Sequence, residues 1–320
     1  MSRSFARRPG WFVLAFGIAG ALVGSAGEAR AFCRSKACDA HWSKHGIAAI
    51  PCIEDETTGC RAFGPLLHWP TNCLAFSIQK DGSATSSIDL ETAQAVIEAA
   101  FETWSGADCG GGVTPSFSVW NRGAVECHRP EYNRYQPNAN VFMFRDDAWP
   151  HEELDGDQLG LTTLTYNVAT GEIVGADVEF NTFESTFTLS DDPLLVGVDF
   201  ASIATHEIGH FLGLSHTQAE GATMLPGYGG LEMRTLSSDD VDGVCAIYPP
   251  GHELSRICPT RHGFSAICGD PEKEKHPPEE AGCTLGRRRG QNLPLLALFA
   301  HALVTSMTRR RGLVSRGAAP

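Results

Sequence analysis

Three histidines and one glutamate carry the chemistry open to this sequence. His206-Glu207-Ile208-Gly209-His210 sets two imidazoles four residues apart. On a helix both project from one face, one turn apart. That separation suits a single zinc ion with nitrogen distances of about 2.0–2.1 Å. Gly213 can end the helix by turning left-handed, and His216 then returns as a third nitrogen ligand. Three protein ligands leave the fourth position for water, which marks a catalytic zinc site and not a structural one. Glu207, beside the first ligand, is placed to act as general base. HExxH alone is a weak signal, since ordinary helices carry it by chance. HExxHxxGxxH fixes five positions, and a chance match is on the order of 10⁻⁷ per window. Satisfied core histidines are therefore the lesser reading.

These residues need a frame. Residues 90–104 (LETAQAVIEAAFETW) place Ala93, Val96, Ile97, Ala100, Phe101 and Trp104 at helical spacing, which predicts an amphipathic helix lying on a sheet. Strands are expected at 73–79, 114–120 and 140–145. Residues 159–168 and 172–181, split by Thr170-Gly171, read as a hairpin. The motif helix is predicted from Asp192-Pro193, an N-cap and N1 pair, through to Gly213. Strand, helix, four strands and then helices give an α+β domain with a mixed sheet. Trp69, Trp104, Trp120 and Trp149 read as core or cleft lining.

The chain has 320 residues and a net charge of −13. Residues 1–31 hold four Arg and one Glu, and 284–320 hold seven Arg and no acid, so 14 basic and 37 acidic residues remain between them. So acidic a middle repels phosphate backbones and argues against nucleic-acid binding. Residues 1–31 read as a signal peptide: Arg3, Arg7 and Arg8, an apolar run from Trp11 to Val23, and an Ala29-Arg30-Ala31 cleavage site. Eleven cysteines fit an oxidising compartment. Setting Cys283 apart, the other ten could form five bridges, with Cys258–Cys268 the favoured local pair. The expected organisation is a signal peptide (1–31), a Cys-rich segment (32–70), a catalytic domain (71–250), a linker rich in Pro and charge (251–282) and a tail (283–320). The linker lacks apolar periodicity and is not expected to add to the core.

Residues 206–216 (HEIGHFLGLSH) resemble the metzincin signature, and Met224 in ATMLPGY stands where that family has its Met-turn. Within the metzincins the chain is most similar to the matrixins. Thr217 follows the third His, Pro226 comes two after Met224, and LSSDDVDGVCAIY (236–248) resembles the matrixin C-terminal helix. The resemblance implies a twisted mixed five-stranded sheet with an antiparallel edge strand, an active-site helix and a C-terminal helix. It also implies peptidase activity. No PRCGxPD-like segment is found, so cysteine-switch latency is not supported. No His-rich stretch precedes the hairpin, which argues against a second, structural zinc and leaves His151 isolated. Gly282-Cys283, the apolar 293–307 and Arg309-Arg310-Arg311 resemble a MYXO-CTERM sorting tail, which implies processing near Cys283 and delivery to the cell surface, the outer membrane or outside. An apolar stretch before an Arg cluster is also a stop-transfer arrangement that could attach the protein to a membrane through the tail.

The expected function is hydrolysis of peptide bonds in a polypeptide substrate, with zinc held by His206, His210 and His216. Substrate would lie extended along a sheet edge from Leu159 to Thr165, at Leu159, Gly160, Leu161, Thr162 and Thr163. Residues 226–236 would wall the primed-side pocket. Glu152, Glu153, Asp155, Asp157, Asp177 and Glu179 could bind calcium, though a solvated acidic surface is preferred. Two other readings remain: a zinc-fold surface module for adhesion or display, which has no need of Glu207, and a zinc amidase acting on cell-wall peptides.

Overall fold

The computed structural model describes residues 32–38, 50–151, 158–192, 194–275 and the backbone of 314–319. The signal peptide and nearly all of the tail lie outside the described residues. So do Glu152, Glu153, Asp155 and Asp157.

In chain order the elements are β1 (Cys33–Arg34), β2 (Cys73–Gln79), α1 (Leu90–Ser105), β3 (Ser118–Val125), β4 (Val141–Phe144), β5 (Gly160–Tyr166) and β6 (Ile173–Phe180). There follow β7 (Phe187–Thr188), β8 (Val198–Asp199), α2 (Phe200–Leu212), β9 (Leu214–Ser215), a 3₁₀ turn (Gly230–Arg234) and α3 (Ser238–Ile247). The last are α4 (Pro271–Lys275) and β10 (Val314–Ala319). The main sheet has the order β10-β5-β6-β4-β2-β3. Strands β3, β2, β4 and β6 are parallel, and β5 runs antiparallel to β6. Without β10 this is the five-stranded sheet with an antiparallel edge that the sequence led us to expect. The edge is extended by β10, which pairs antiparallel along β5 from Gly160↔Ala319 to Thr165↔Val314.

The inner parallel strands β2 and β4 are buried along their whole length, so β4 (VFMF) reads as a continuous apolar run and β2 (CLAFSIQ) as nearly one. Asp89 caps α1 by accepting from Thr92 N–H at 2.8 Å. Ala93, Ile97, Ala100, Phe101 and Trp104 form its buried face. Phe76, Phe101, Phe142 and Phe211 meet with ring centroids 4.8–5.8 Å apart, which seats both major helices on the sheet. Trp104 Nε1–H donates to Thr205 O at 2.8 Å and ties α1 to α2 one residue before His206. Trp69 packs on Phe211 and Trp149 is buried, but Trp120 is half exposed, with Arg122 stacked on it at 4.5 Å. Strand β3 starts four residues later than the sequence pattern suggested.

Two larger expectations are corrected. The motif helix does not begin at Asp192-Pro193. Leu194 is 91% exposed, and Val198-Asp199 pair in parallel with Phe187-Thr188 before the helix starts at Phe200. Its cap is Asp199, whose carboxylate accepts from Ser202 N–H at 2.8 Å. Cys258 and Cys268 do not pair with each other. The bridges are Cys33–Cys60, Cys38–Cys52, Cys73–Cys258, Cys109–Cys245 and Cys127–Cys268. Cys258 reaches β2 at Cys73 and Cys268 reaches Cys127 just past the end of β3, so residues 251–275 are docked along the sheet and are not a free linker. Phe264 packs on Val125, Val141 and Met143, and Ala266 O accepts from Glu126 N–H at 2.7 Å. Among the described residues no helix is long and apolar enough to cross a membrane.

Candidate active site

The site is built where α2 ends. Gly213 takes φ +107°, a left-handed conformation that costs glycine least, and its N–H closes on Gly209 O and His210 O. The reversed chain enters β9, and His216 faces back to the helix. His216 Nε2 lies 3.2 Å from His206 Nε2 and 3.2 Å from His210 Nε2. Nitrogens each about 2.05 Å from one tetrahedral ion would stand about 3.3 Å apart. His206 Nδ1–H donates to Thr223 O at 2.6 Å, and His210 Nδ1–H donates to Leu214 O at 3.0 Å. A carbonyl can only accept, so both protons sit on Nδ1 and both Nε2 lone pairs point at the third imidazole. Converging lone pairs at that spacing fit a divalent cation and are poor hydrogen bonds.

Electrostatics agree. Burial first, then the neighbouring His216, bring His206 down to about 3, against the opposing pull of its bond to Thr223 O. Burial, His216 and His206 likewise hold His210 well below the usual imidazole range. Both are therefore neutral, the form that binds metal.

Glu207 is fully buried. Thr162 Oγ1–H donates to its Oε2 at 2.5 Å. A Cβ at Gly160 would come within 2.6 Å of Glu207 Oε1. Gly160 and Thr162 of β5 thus shape the seat of the carboxylate. The backbone edge of the same strand, expected to receive substrate, is paired with residues 314–319. Leu159 and Leu161 are buried and Thr163 is half-buried, so what these positions offer a ligand is main chain.

Met224 lies beneath the triad against Gly209, where an added Cβ would come within 2.2 Å of its Sδ. Three further devices escaped sequence reasoning. Asp240 of α3 accepts from Thr223 N–H at 2.8 Å and Met224 N–H at 3.0 Å, fixing the turn that carries Thr223 O. The S-x-x-D spacing of Ser237 and Asp240, which forms a capping box, was the available signal. Arg234 grips Asp199 with two nitrogens at 2.6 and 2.8 Å, which pins the 226–236 wall to the start of α2. Ser202 Oγ lies between Asp199 Oδ2 at 2.7 Å and Gly230 O at 2.8 Å, so one hydroxyl spans the helix start and the same wall. The third is Ser35, whose hydroxyl bonds Leu214 O at 2.8 Å.

The acidic residues are used differently from the expectation. Asp177 and Glu179 are buried, not solvated. Asp177 accepts from Glu131 N–H and Val141 N–H. Burial leads the upward shift of its carboxyl, against those two bonds. Glu179 pairs with Arg145 at 2.5 Å and with His151 at 3.0 Å, so His151 is not isolated.

A helix with HExxH, a third histidine past a glycine turn, and a methionine turn below, on this sheet, define the metzincin class. The matrixin profile matches residues 68–249, and the chain belongs to the matrixin family. It is 28% identical over 209 residues to an interstitial collagenase of Oryctolagus cuniculus, covering 62% of this chain and 38% of that protein. It is 27% identical over 209 residues to the neutrophil collagenase of Homo sapiens, covering 62% and 39%. Over 63 residues it is 49% identical to Metalloendoproteinase 1-MMP of Arabidopsis thaliana, covering 18% of this chain and 16% of that protein. The matched region spans less than two-fifths of the length of these collagenases.

Proposed function

We propose that the chain is a zinc-dependent endopeptidase, exported, with His206, His210 and His216 holding the metal and Glu207 as general base. The observation that carries the reading is the convergence of three imidazole nitrogens at 3.2 Å beside a buried carboxylate on the same helix. Zinc bound there supplies Lewis acidity toward the scissile carbonyl and makes water acidic near neutral pH.

The protein does the rest. Thr223 O and Leu214 O hold two ligands in the correct tautomer. Glu207 takes the proton of the attacking water and hands it to the leaving amine. Thr162 keeps Oε2 of that carboxylate in place through the transfer. An extended substrate would occupy the edge of β5 that residues 314–319 hold, with its backbone pairing antiparallel. The wall at 226–236, braced by Arg234, would bound the primed side. The five disulfides among the described residues suit an oxidising compartment.

The test is metal content joined to proteolysis. Purified protein should carry one zinc and digest casein, and a chelator should abolish digestion. Glu207→Gln should keep the zinc and lose turnover. Casein digestion that survives in Glu207→Gln removes the residue from the mechanism, and a zinc-loaded protein inert on casein turns the reading toward adhesion or a narrower amide substrate.

A further inference from the structure

The metal site is braced by a segment that the sequence sets far from it. Strand β1 runs antiparallel to β9, with Cys33 opposite Ser215 and Arg34 opposite Leu214, just before His216. Ser35 continues the contact. Its N–H donates to Gly213 O at 2.8 Å, and its own carbonyl accepts from Leu67 N–H at 2.7 Å. Its hydroxyl donates to Leu214 O at 2.8 Å. Leu214 O is also the acceptor for His210 Nδ1–H at 3.0 Å. One carbonyl oxygen, with two lone pairs, thus receives the imidazole from one side and a hydroxyl from a residue 179 positions away.

The geometry of that hydroxyl is tightly set. Ser35 is buried, as are Cys33, Ala37 and Cys38 around it. Cys33–Cys60 and Cys38–Cys52 close the segment on itself. Ala37 N–H donates to Pro65 O at 2.8 Å. Phe32 packs near Gly243 of α3, where an added Cβ would come within 3.4 Å of it. The carbonyl that fixes His210 is therefore held by a disulfide-closed clamp and not by solvent.

We propose that Ser35 is a positioning residue of the metal site: its hydroxyl holds the Leu214 carbonyl where that carbonyl orients His210, while β1 holds the strand that delivers His216. The proposal rests on the reading of the three histidines as zinc ligands. The physical reason is general. A metal-bound histidine needs a fixed acceptor on its other nitrogen, and removing the groups that orient a ligand costs about 10–100-fold in metal affinity. Without the hydroxyl, Leu214 O can tilt, and the imidazole it directs tilts with it. The Cys-rich segment then works as part of the catalytic unit and cannot be discarded like a pro-segment.

The experiment compares zinc affinity, by competition with a chromophoric chelator, in the full-length wild type, Ser35→Ala, Ser35→Thr and Asp55→Ala. Thermal midpoints of the metal-free proteins are measured alongside. Asp55 is exposed and accepts from Thr57 and Thr58 N–H within the same segment, so it controls for loss of segment stability. We expect Ser35→Ala to bind zinc about tenfold more weakly, Ser35→Thr to recover most of the loss, and Asp55→Ala to stay within about twofold of wild type. The proposal is overturned if Ser35→Ala stays within twofold of a zinc-binding wild type, if the threonine variant falls as far as the alanine, or if Asp55→Ala loses as much. A wild type that binds no zinc strikes the histidine reading instead.

Discussion

Asp240 offers the sharpest test of how the floor of the site is held. Its carboxylate is 1% exposed and accepts four hydrogen bonds. Oδ2 takes Thr223 N–H at 2.8 Å, Ser237 N–H at 2.9 Å and Ser237 Oγ–H at 2.8 Å, while Oδ1 takes Met224 N–H at 3.0 Å. Replacement by Asn keeps the shape and changes only the hydrogen-bonding character. With its oxygen left at the Oδ2 position, the new amide points a donor at Met224 N–H. One bond to a charged acceptor is lost, worth about 1.5–3 kcal/mol, and the other three fall from charged to neutral strength. The expected loss is about 2–4 kcal/mol, which for a domain of this size is a fall of roughly 5–12 °C in Tm. Alanine also leaves a void and two buried N–H groups without an acceptor, so it should cost more, about 4–5 kcal/mol. Chemical denaturation of the disulfide-intact protein, read by tryptophan fluorescence, measures both. Zinc affinity should fall with stability, because Thr223 O orients His206. An Asn variant within about 0.5 kcal/mol of wild type, inside the range of a neutral surface change, would refute the claim that α3 anchors the turn.

Other expectations follow from the same contacts. Gly209→Ala gains about 1 kcal/mol of helix propensity but drives a methyl into Met224 Sδ and Trp104 at 2.2 and 2.8 Å. Overpacking of about 1–3 kcal/mol or more should win, and a melting scan showing a more stable variant would contradict it. Thr162→Val removes the donor to Glu207 with little change of shape. Its kcat should drop about tenfold with KM nearly unchanged, and a drop below twofold would remove Thr162 from the machinery. Burial alone would raise the Asp199 carboxyl, but the Arg234 fork and the Ser202 donors outweigh it and leave it lowered. A lowered folded value means stability that is present above the unfolded value of about 3.9 and lost as pH falls through the folded one. Arg234→Gln should therefore cost about 2–3 kcal/mol at pH 7 and progressively less below about pH 4. Equal destabilisation at pH 7 and pH 3 would exclude the ion pair as the cause.

What could be read in advance was local. HExxHxxGxxH is a statement about helix spacing and one glycine, and the structure places those residues accordingly. The α1 face was legible because Ala93, Ile97, Ala100, Phe101 and Trp104 repeat at the helical period. The start of α2 was misread because Asp192-Pro193 has cap chemistry, and only the parallel pairing of β7 with β8 decides in favour of Asp199. Cysteine partners were illegible for the same reason. Proximity in sequence favoured Cys258 with Cys268, whereas the fold brings them to cysteines 185 and 141 residues away, one in β2 and one just past β3. Glu179, His151 and Arg145 carry no periodic signal, and their cluster exists only once β4, β6 and the loop after β4 are side by side. Ser35 is one serine among many until β9 reaches it.

The two longest bridges overlap, one spanning residues 73 to 258 and the other 127 to 268. An exported protein meets peptidases, and the solvent-facing loop around Leu194 is an obvious target under the proposed function. A single cut anywhere between those outer cysteines severs the backbone without releasing a fragment, since at least one covalent tie crosses every such point. The molecule can thus be nicked and still keep its parts in register, and damage of that kind would surface only after a reductant had been added.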